Sequence, residues 1–317
     1  MSNIEQTFAW SESRLKCMRE CAWKYYLTYN MSWGGWMGSA PQERRRAYML
    51  KNMTNMPMFV GSIVHDVIED VITRGRKTGV WSTIDQAQEE AIQRLRKGWK
   101  QSVEKRWEES PKYNTNLAEH FYQEDIPKAK LKAYKFKVLS SIKAFFECPL
   151  FEIIKNIQPE NWLSLEDFQK FHLNTEEEVT VKIDCGFKHD GKVYLLDWKT
   201  GKVSDSVIDQ LTTYGMYAIK QEWAHAPEEI VIVPVYLAMY SDLGDKAIPH
   251  LSITMEHMKR QAGIIRREYP IIAQAFLERD NPDFFKHTDN ERACTRCFFR
   301  DMCSGANSEI GDKETPF

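Results

Sequence analysis

The chain has 317 residues and a mass of 37.2 kDa, is 43% hydrophobic and 28% charged, and contains 10 Trp, 13 Tyr and 16 Phe. That composition supports a sizeable core and excludes a disordered, collagen-like or small disulfide-stapled chain. Its 43 basic and 45 acidic side chains leave a net charge of −2, so any surface for a polyanion has to be a local patch. No apolar run approaches the roughly 20 residues of a membrane span, and the start of the chain lacks a basic segment followed by an apolar one. The expectation is a cytoplasmic protein with no membrane partner.

In chain order, a first helix is expected from about Ser11 or Ser13 to Tyr29, with Ser13 a plausible N-cap and Leu15, Met18, Ala22, Tyr25, Tyr26 and Leu27 on its apolar face. A Gly- and Trp-rich loop, 33–41, precedes the basic run Arg44, Arg45 and Arg46. A second helix is expected from near Gly61, carrying Ile63, Val64, Val67, Ile68, Val71 and Ile72. Residues from about Asp85 to Lys155 read as helical and densely charged, without a convincing strand. The β signal begins at Glu178–Asp184, which alternates strongly, and resumes at Lys192–Asp197 across Asp190-Gly191, a strong hairpin signal. Then come a helix from Val207 to Trp223, a strand over Ile230–Leu237 whose Pro234 suggests an edge or bulge, a strand over Ile248–Thr254 and a helix from Met255 to Glu278. The order suggests an α/β core with a helical insertion.

Three features could carry chemistry. Asp184 ends one strand, and Asp197-Trp198-Lys199 ends its hairpin partner. Side chains alternate along a strand, so Asp197 and Lys199 share a side. Two carboxylates on neighbouring strands can hold a hard divalent cation, and a lysine beside them can orient water or neutralise charge on a phosphate. The competing reading is a surface hairpin with solvated charges. Gly61-x3-His65 places an imidazole at the head of an apolar helix, where it can be a ligand or a satisfied core histidine. Gln210 and Tyr214, spaced i and i+4, share a helix face and can reach a phosphate oxygen or a water.

The seven cysteines are at 17, 21, 148, 185, 294, 297 and 303. Three cluster as C-x2-C-x5-C near the C-terminus and two lie four apart near the N-terminus, a pattern of ligation and not of a disulfide framework. Four thiolates suit a [4Fe–4S] cluster, with zinc the chemical alternative, and Cys17 or His287 could replace one ligand.

Taken together, Gly61-x3-His65, Asp184, Asp197-x-Lys199-Thr200-Gly201 and Gln210-x3-Tyr214 resemble the RecB-type branch of the PD-(D/E)XK nuclease superfamily. Ser13–Leu27, with Cys21 before Lys-Tyr-Tyr-Leu, and Cys294-x2-Cys297-x5-Cys303 resemble its iron–sulfur members, the CRISPR-associated and AddB-like exonucleases. The resemblance implies a restriction-endonuclease-like mixed sheet flanked by helices, and a deoxyribonuclease dependent on Mg²⁺ or Mn²⁺ that acts on DNA ends or single strands. It implies His65, Asp184, Asp197 and the carbonyl of Trp198 as metal ligands, and Lys199 as the residue that positions or activates water. Gln210 and Tyr214 would support the lysine and bind phosphate, and Cys21, Cys294, Cys297 and Cys303 would hold the cluster.

On this reading, residues 1–80 open the nuclease core with the first cluster cysteine and the histidine motif. Residues 81–160 form the helical insertion, 161–290 complete the core with the catalytic hairpin, and 291–317 are the cluster tail. DNA is the expected partner, with Arg44–Arg46 and the Lys128, Lys132, Lys135 stripe beside Tyr134 as candidate contacts. Protein partners in a recombination or phage complex are a further expectation. A catalytically idle DNA-binding scaffold and an endonuclease on the same fold are the rival readings.

Overall fold

The computed structural model describes residues 6–204 and 206–303, so the part of the expected cysteine tail beyond Cys303 lies outside the described residues. The N-terminal half is helical: α1 (Glu12–Glu20), α2 (Ala22–Tyr25), α3 (Gln42–Lys51), α4 (Met56–Thr78), α5 (Ile84–Val103), α6 (Ala118–Phe121), α7 (Lys128–Glu147) and α8 (Pro149–Asn156). Then follow β1 (Trp162–His172), β2 (Glu178–His189), β3 (Lys192–Lys199), α9 (Ser206–Lys220), β4 (Ile230–Tyr236), α10 (Tyr240–Leu243), β5 (Leu251–Ser252), α11 (Met255–Leu277) and α12 (Glu291–Thr295). The first expected helix is broken in two at Cys21, whose backbone is extended, and continues past α2 as a wider turn over Tyr26–Met31. Its N-cap is Ser11 and not Ser13: Ser11 Oγ accepts from Arg14 N at 3.3 Å.

The strands form one mixed sheet in the order β1-β2-β3-β4-β5, with β3 and β4 parallel and the other pairs antiparallel. Asp190 and Gly191 close the β2–β3 hairpin with φ of +48° and +71°, the left-handed pair that a tight hairpin turn requires. Pro234 lies opposite Asp197 of β3 and beyond the short pairing with β5, which reaches only Val231 and Ile232. The strand β1 is a departure from the expected order, in which β structure starts only at Glu178.

Both sheet faces are covered. Val179, Val181, Ile183, Val193 and Leu195 pack with Tyr25, Leu211, Tyr217, Ile265 and Ile272. Cys185, Phe187, Leu196, Trp198, Val233 and Val235 pack with the apolar sides of α4, α5, α7 and α8. The helical stretch therefore shares a core with the sheet. Its helices approach closely: a Cβ on Gly98 of α5 would lie 2.3 Å from the Phe59 ring on α4.

The odd-numbered residues of β2 change faces midway, from Val179, Val181 and Ile183 on one side to Cys185 and Phe187 on the other. A regular strand keeps i and i+2 on one face, so the ladder is distorted at Asp184. Opposite it, between the pairs Leu165↔Cys185 and Asp167↔Ile183, Glu166 has φ +52°. The distortion leaves two buried carboxylates in neither apolar cluster.

Candidate metal and phosphate site

Helix α4 brings the histidine to this point. Asn55 caps it, its side chain accepting from Met58 N at 3.0 Å, and its buried face (Phe59, Val60, Ile63, Val64, Val67, Ile68) holds it against the sheet. His65 stands at the edge of that face, with its ring half-buried at the sheet. Nδ1 lies 3.2 Å from Glu166 Oε1 and 3.4 Å from Asp184 Oδ2, and Nε2 lies 2.9 Å from the carbonyl of Trp198. An imidazole facing acceptors from both nitrogens is best satisfied when doubly protonated. Burial alone would lower its pKa, but the Glu166 hydrogen bond and the charges of Asp184 and Glu166 outweigh it, and the value rises to about 9.

The ligand atoms of His65, Glu166 and Asp184 lie within 4.8 Å of one another. Asp184 Oδ2 also accepts from Trp198 N at 2.8 Å, which ties β2 to β3. Burial, and then the neighbouring Asp197, push its carboxyl up. Burial would do the same to Glu166, but hydrogen bonds from His65 and Lys182 reverse it, and Lys182 Nζ sits 2.5 Å from Glu166 Oε2. Two buried carboxylates and an imidazole are a donor set that fits a hard divalent cation.

Asp197 and Lys199 lie on the face of β3 that α9 covers. They form an ion pair with each other. Gln210 locks it from α9: its Oε1 accepts from Lys199 Nζ at 3.2 Å, and its Nε2 donates to Asp197 Oδ1 at 3.2 Å and to Tyr214 Oη at 2.7 Å. Burial raises the Asp197 carboxyl, against the lowering by Lys199, and burial beside Asp197 raises Tyr214 well above its ordinary value. The spacings i, i+2 on β3 and i, i+4 on α9 thus meet as four interlocked polar side chains.

The expected catalytic and metal-binding residues come to one end of the sheet, but in two groups. Asp197 joins the lysine and not the close carboxylate–histidine group, where Glu166 stands instead. Trp198 is 1% exposed, edge-on to Phe145 at 5.5 Å, so its indole belongs to the core and only its backbone N–H and carbonyl face the site. Sequence reading missed Glu166. The signal was a broken alternation: Leu163 and Leu165 are followed by Phe168, one residue out of step, before Phe171 returns to the first step, with Glu166 at the break.

A second cavity is lined by Cys21, Cys294, Cys297 and Cys303, with Trp23, Lys24 and Phe299 among the other walls. Backbone N–H groups of Lys24 and Phe299 point at the sulfurs of Cys21 and Cys297, each at 3.4 Å. His287 Nδ1 is 3.2 Å from Cys303 Sγ, and the His287 ring lies against Trp23 at 4.9 Å. Cys17 does not line this cavity, and burial pushes its thiol up to about 11. Four thiols converging from segments about 270 residues apart in the sequence match a four-thiolate donor set.

The candidate DNA contacts differ in their engagement. Arg44 donates to the Trp33 carbonyl at 2.7 Å, Arg45 to that of Gly38, and Arg46 pairs with Asp301. Those three guanidiniums bind the chain itself. Lys128, Lys132 and Lys135 are exposed on α7.

A mixed sheet with helices on both faces thus carries an acidic pair and a lysine at the end of its central hairpin. The model of the PD-(D/E)XK nuclease superfamily matches residues 9–304, and the chain belongs to that superfamily, whose nucleases use divalent metals. A crystal structure from Eubacterium rectale, named there a "Putative exonuclease", superposes with a TM-score of 0.48 at 10% sequence identity, covering 98% of this chain and 91% of that chain. Among curated protein sequences there is no match. Among the described residues, no helix is long and apolar enough to cross a membrane.

Proposed function

We propose that the chain is a metal-dependent DNA exonuclease of the iron–sulfur, RecB-type branch, hydrolysing phosphodiester bonds at DNA ends or in single strands. The observation that carries this reading is the lock of Asp197, Lys199, Gln210 and Tyr214 beside the His65, Glu166 and Asp184 group. Asp184, Glu166 and His65 would hold Mg²⁺ or Mn²⁺, with Asp197 and the Trp198 carbonyl at its margin. The ion supplies polarisation of the phosphate and a lowered pKa for water. Lys199 Nζ, fixed by Asp197 and Gln210, then orients the attacking water or neutralises charge on a phosphate oxygen. Tyr214 and Gln210 keep that ammonium from swinging away.

The thiol cavity supports a [4Fe–4S] cluster held by Cys21, Cys294, Cys297 and Cys303, in keeping with a reducing, cytoplasmic setting. We keep the division into core (1–80 and 161–290), helical insertion (81–160) and cluster tail (291–317). The process served is of the recombination, repair, phage or CRISPR-associated kind.

The test is cleavage of linear single-stranded, linear duplex and closed circular DNA with Mg²⁺ or Mn²⁺. Asp197→Ala and Lys199→Ala should each abolish cleavage while leaving the fold and the cluster's absorption intact. Binding without cleavage by the unaltered protein would make it an idle scaffold, and cutting of closed circles would make it an endonuclease.

A further inference from the structure

Phe168 is 77% exposed, two residues beyond Glu166 on the edge strand β1. An exposed aromatic ring on a sheet edge adds nothing to the core and invites pairing with other chains. Its cross-strand partner is Lys182, whose Nζ lies 5.7 Å from the ring centroid while it also binds Glu166 Oε2 at 2.5 Å. One lysine therefore bridges the cation-binding carboxylate and the exposed ring.

Between that ring and helix α9 opens a cavity of about 190 Å³, whose walls include Phe168, Lys182, Gln210, Tyr214, Ser11 and Ser13. It is smaller than the roughly 300 Å³ at which pockets for whole drug-sized ligands begin, so it takes one ring system and not a complete nucleotide. Gln210 and Tyr214 belong to it and also brace Lys199, so whatever enters sits next to the scissile position. Glu12 is also among its walls, and Lys182 and the nearby Lys199 are paired with Glu166 and Asp197, so the cavity carries little net positive charge and suits the neutral face of a base more than a phosphate.

We propose that this cavity receives an unpaired DNA base adjoining the scissile phosphate, stacked on Phe168. The inference rests on the nuclease reading and sharpens its substrate to single strands or frayed ends, because a base held in a duplex cannot turn its face to the ring. Stacking on an aromatic side chain is tolerant of sequence, so the site discriminates strandedness and not base identity.

The experiment compares the full-length protein with Phe168→Ala and Phe168→Trp. Single-stranded oligonucleotides carrying 2-aminopurine at successive positions are bound with Ca²⁺ in place of Mg²⁺. The unaltered protein should perturb the fluorescence of one position near the end. Phe168→Ala should lose that signal and bind single strands at least about fivefold more weakly, with a matching rise in KM, while Phe168→Trp retains both. Binding of blunt duplex should change little. Equal binding and cleavage of single strands by Phe168→Ala and the unaltered protein would overturn the subsite and leave the nuclease reading standing. Fluorescence changes that depend on Phe168, in a protein that cleaves nothing, would support the subsite and sink the nuclease reading instead.

Discussion

Glu166→Gln asks which carboxylates hold the cation. The Glu166 side chain is 4% exposed and lies between His65 Nδ1 at 3.2 Å and Lys182 Nζ at 2.5 Å. Glutamine keeps the size and one acceptor oxygen but removes the charge. Stranding a buried partner costs about 3–5 kcal/mol. Here the partners are 26% and 42% exposed, so water recovers much of that, and the expected loss is about 1–2 kcal/mol. The effect on the cation should be at least as large: a disturbed carboxylate at a metal site lowers affinity about 10- to 100-fold, or about 1.4–2.7 kcal/mol. Both are read from one preparation, by denaturant unfolding with a chelator present and by calorimetric titration with Mn²⁺. The variant should fold, bind Mn²⁺ weakly and regain part of its cleavage at high metal. A Mn²⁺ titration indistinguishable from that of the unaltered protein would refute the assignment, and the left-handed backbone at Glu166 would then serve only the bend in β1.

Asp184→Asn should stabilise the metal-free fold at pH 8 while removing cleavage. Burial raises the Asp184 carboxyl, so the folded chain holds its proton to higher pH than the unfolded chain, and this group's contribution to stability falls as pH rises from the carboxylate range towards neutrality. A lower melting temperature for the variant at pH 8 would contradict this sign. Cys21→Ser should lose the cluster's visible absorption and Cys17→Ser should keep it, since Cys17 lies outside the thiol cavity and stays protonated with its pKa near 11; the reverse pattern would reassign the ligand, and stoichiometric zinc in a colourless protein would replace the cluster. Trp198→Phe should cost about 1–3 kcal/mol of stability and leave cleavage nearly unchanged, because the indole fills the core and the site sees only the backbone N–H and carbonyl; a loss of cleavage at full stability would give the ring a role in catalysis.

The sequence made the hairpin and its chemistry legible because both rest on local rules. Alternation located β2 and β3, Asp190-Gly191 fixed the turn, and two side chains per repeat placed Asp197 and Lys199 together. The i, i+4 spacing likewise put Gln210 and Tyr214 on one helix face, and the structure joins the two pairs by hydrogen bonds. What escaped was set by tertiary contacts. Strand β1 has a broken pattern because its ladder bends opposite Asp184, and a strand with a break does not score as alternating. Glu166 belongs to the site only through that bend. The break at Cys21 escaped for another reason: the residues on either side are good helix formers, and the extended backbone there turns the sulfur towards a cavity completed by residues 294–303. The arginine run shows what a charge pattern alone does not reveal, the contacts its members make with the chain's own carbonyls and Asp301.

A cluster held in the thiol cavity, as proposed above, would also change how the polymer behaves. Tying Cys21 to Cys303 closes a ring of 282 intervening peptide links into which most of the molecule falls. On the chain-entropy relation for crosslinks, a ring of that size restricts the unfolded ensemble by about 5–6 kcal/mol at room temperature. That is comparable with the whole stability of many single domains. A protein fastened this way would have a redox fuse: an oxidant that dismantled the proposed cluster would open the ring without touching His65 or Lys199, and the nuclease would be lost by loosening of its frame while its catalytic groups remained chemically intact. Exposure to air should therefore show first as a fall in unfolding temperature and faster proteolysis, with the loss of cleavage following behind.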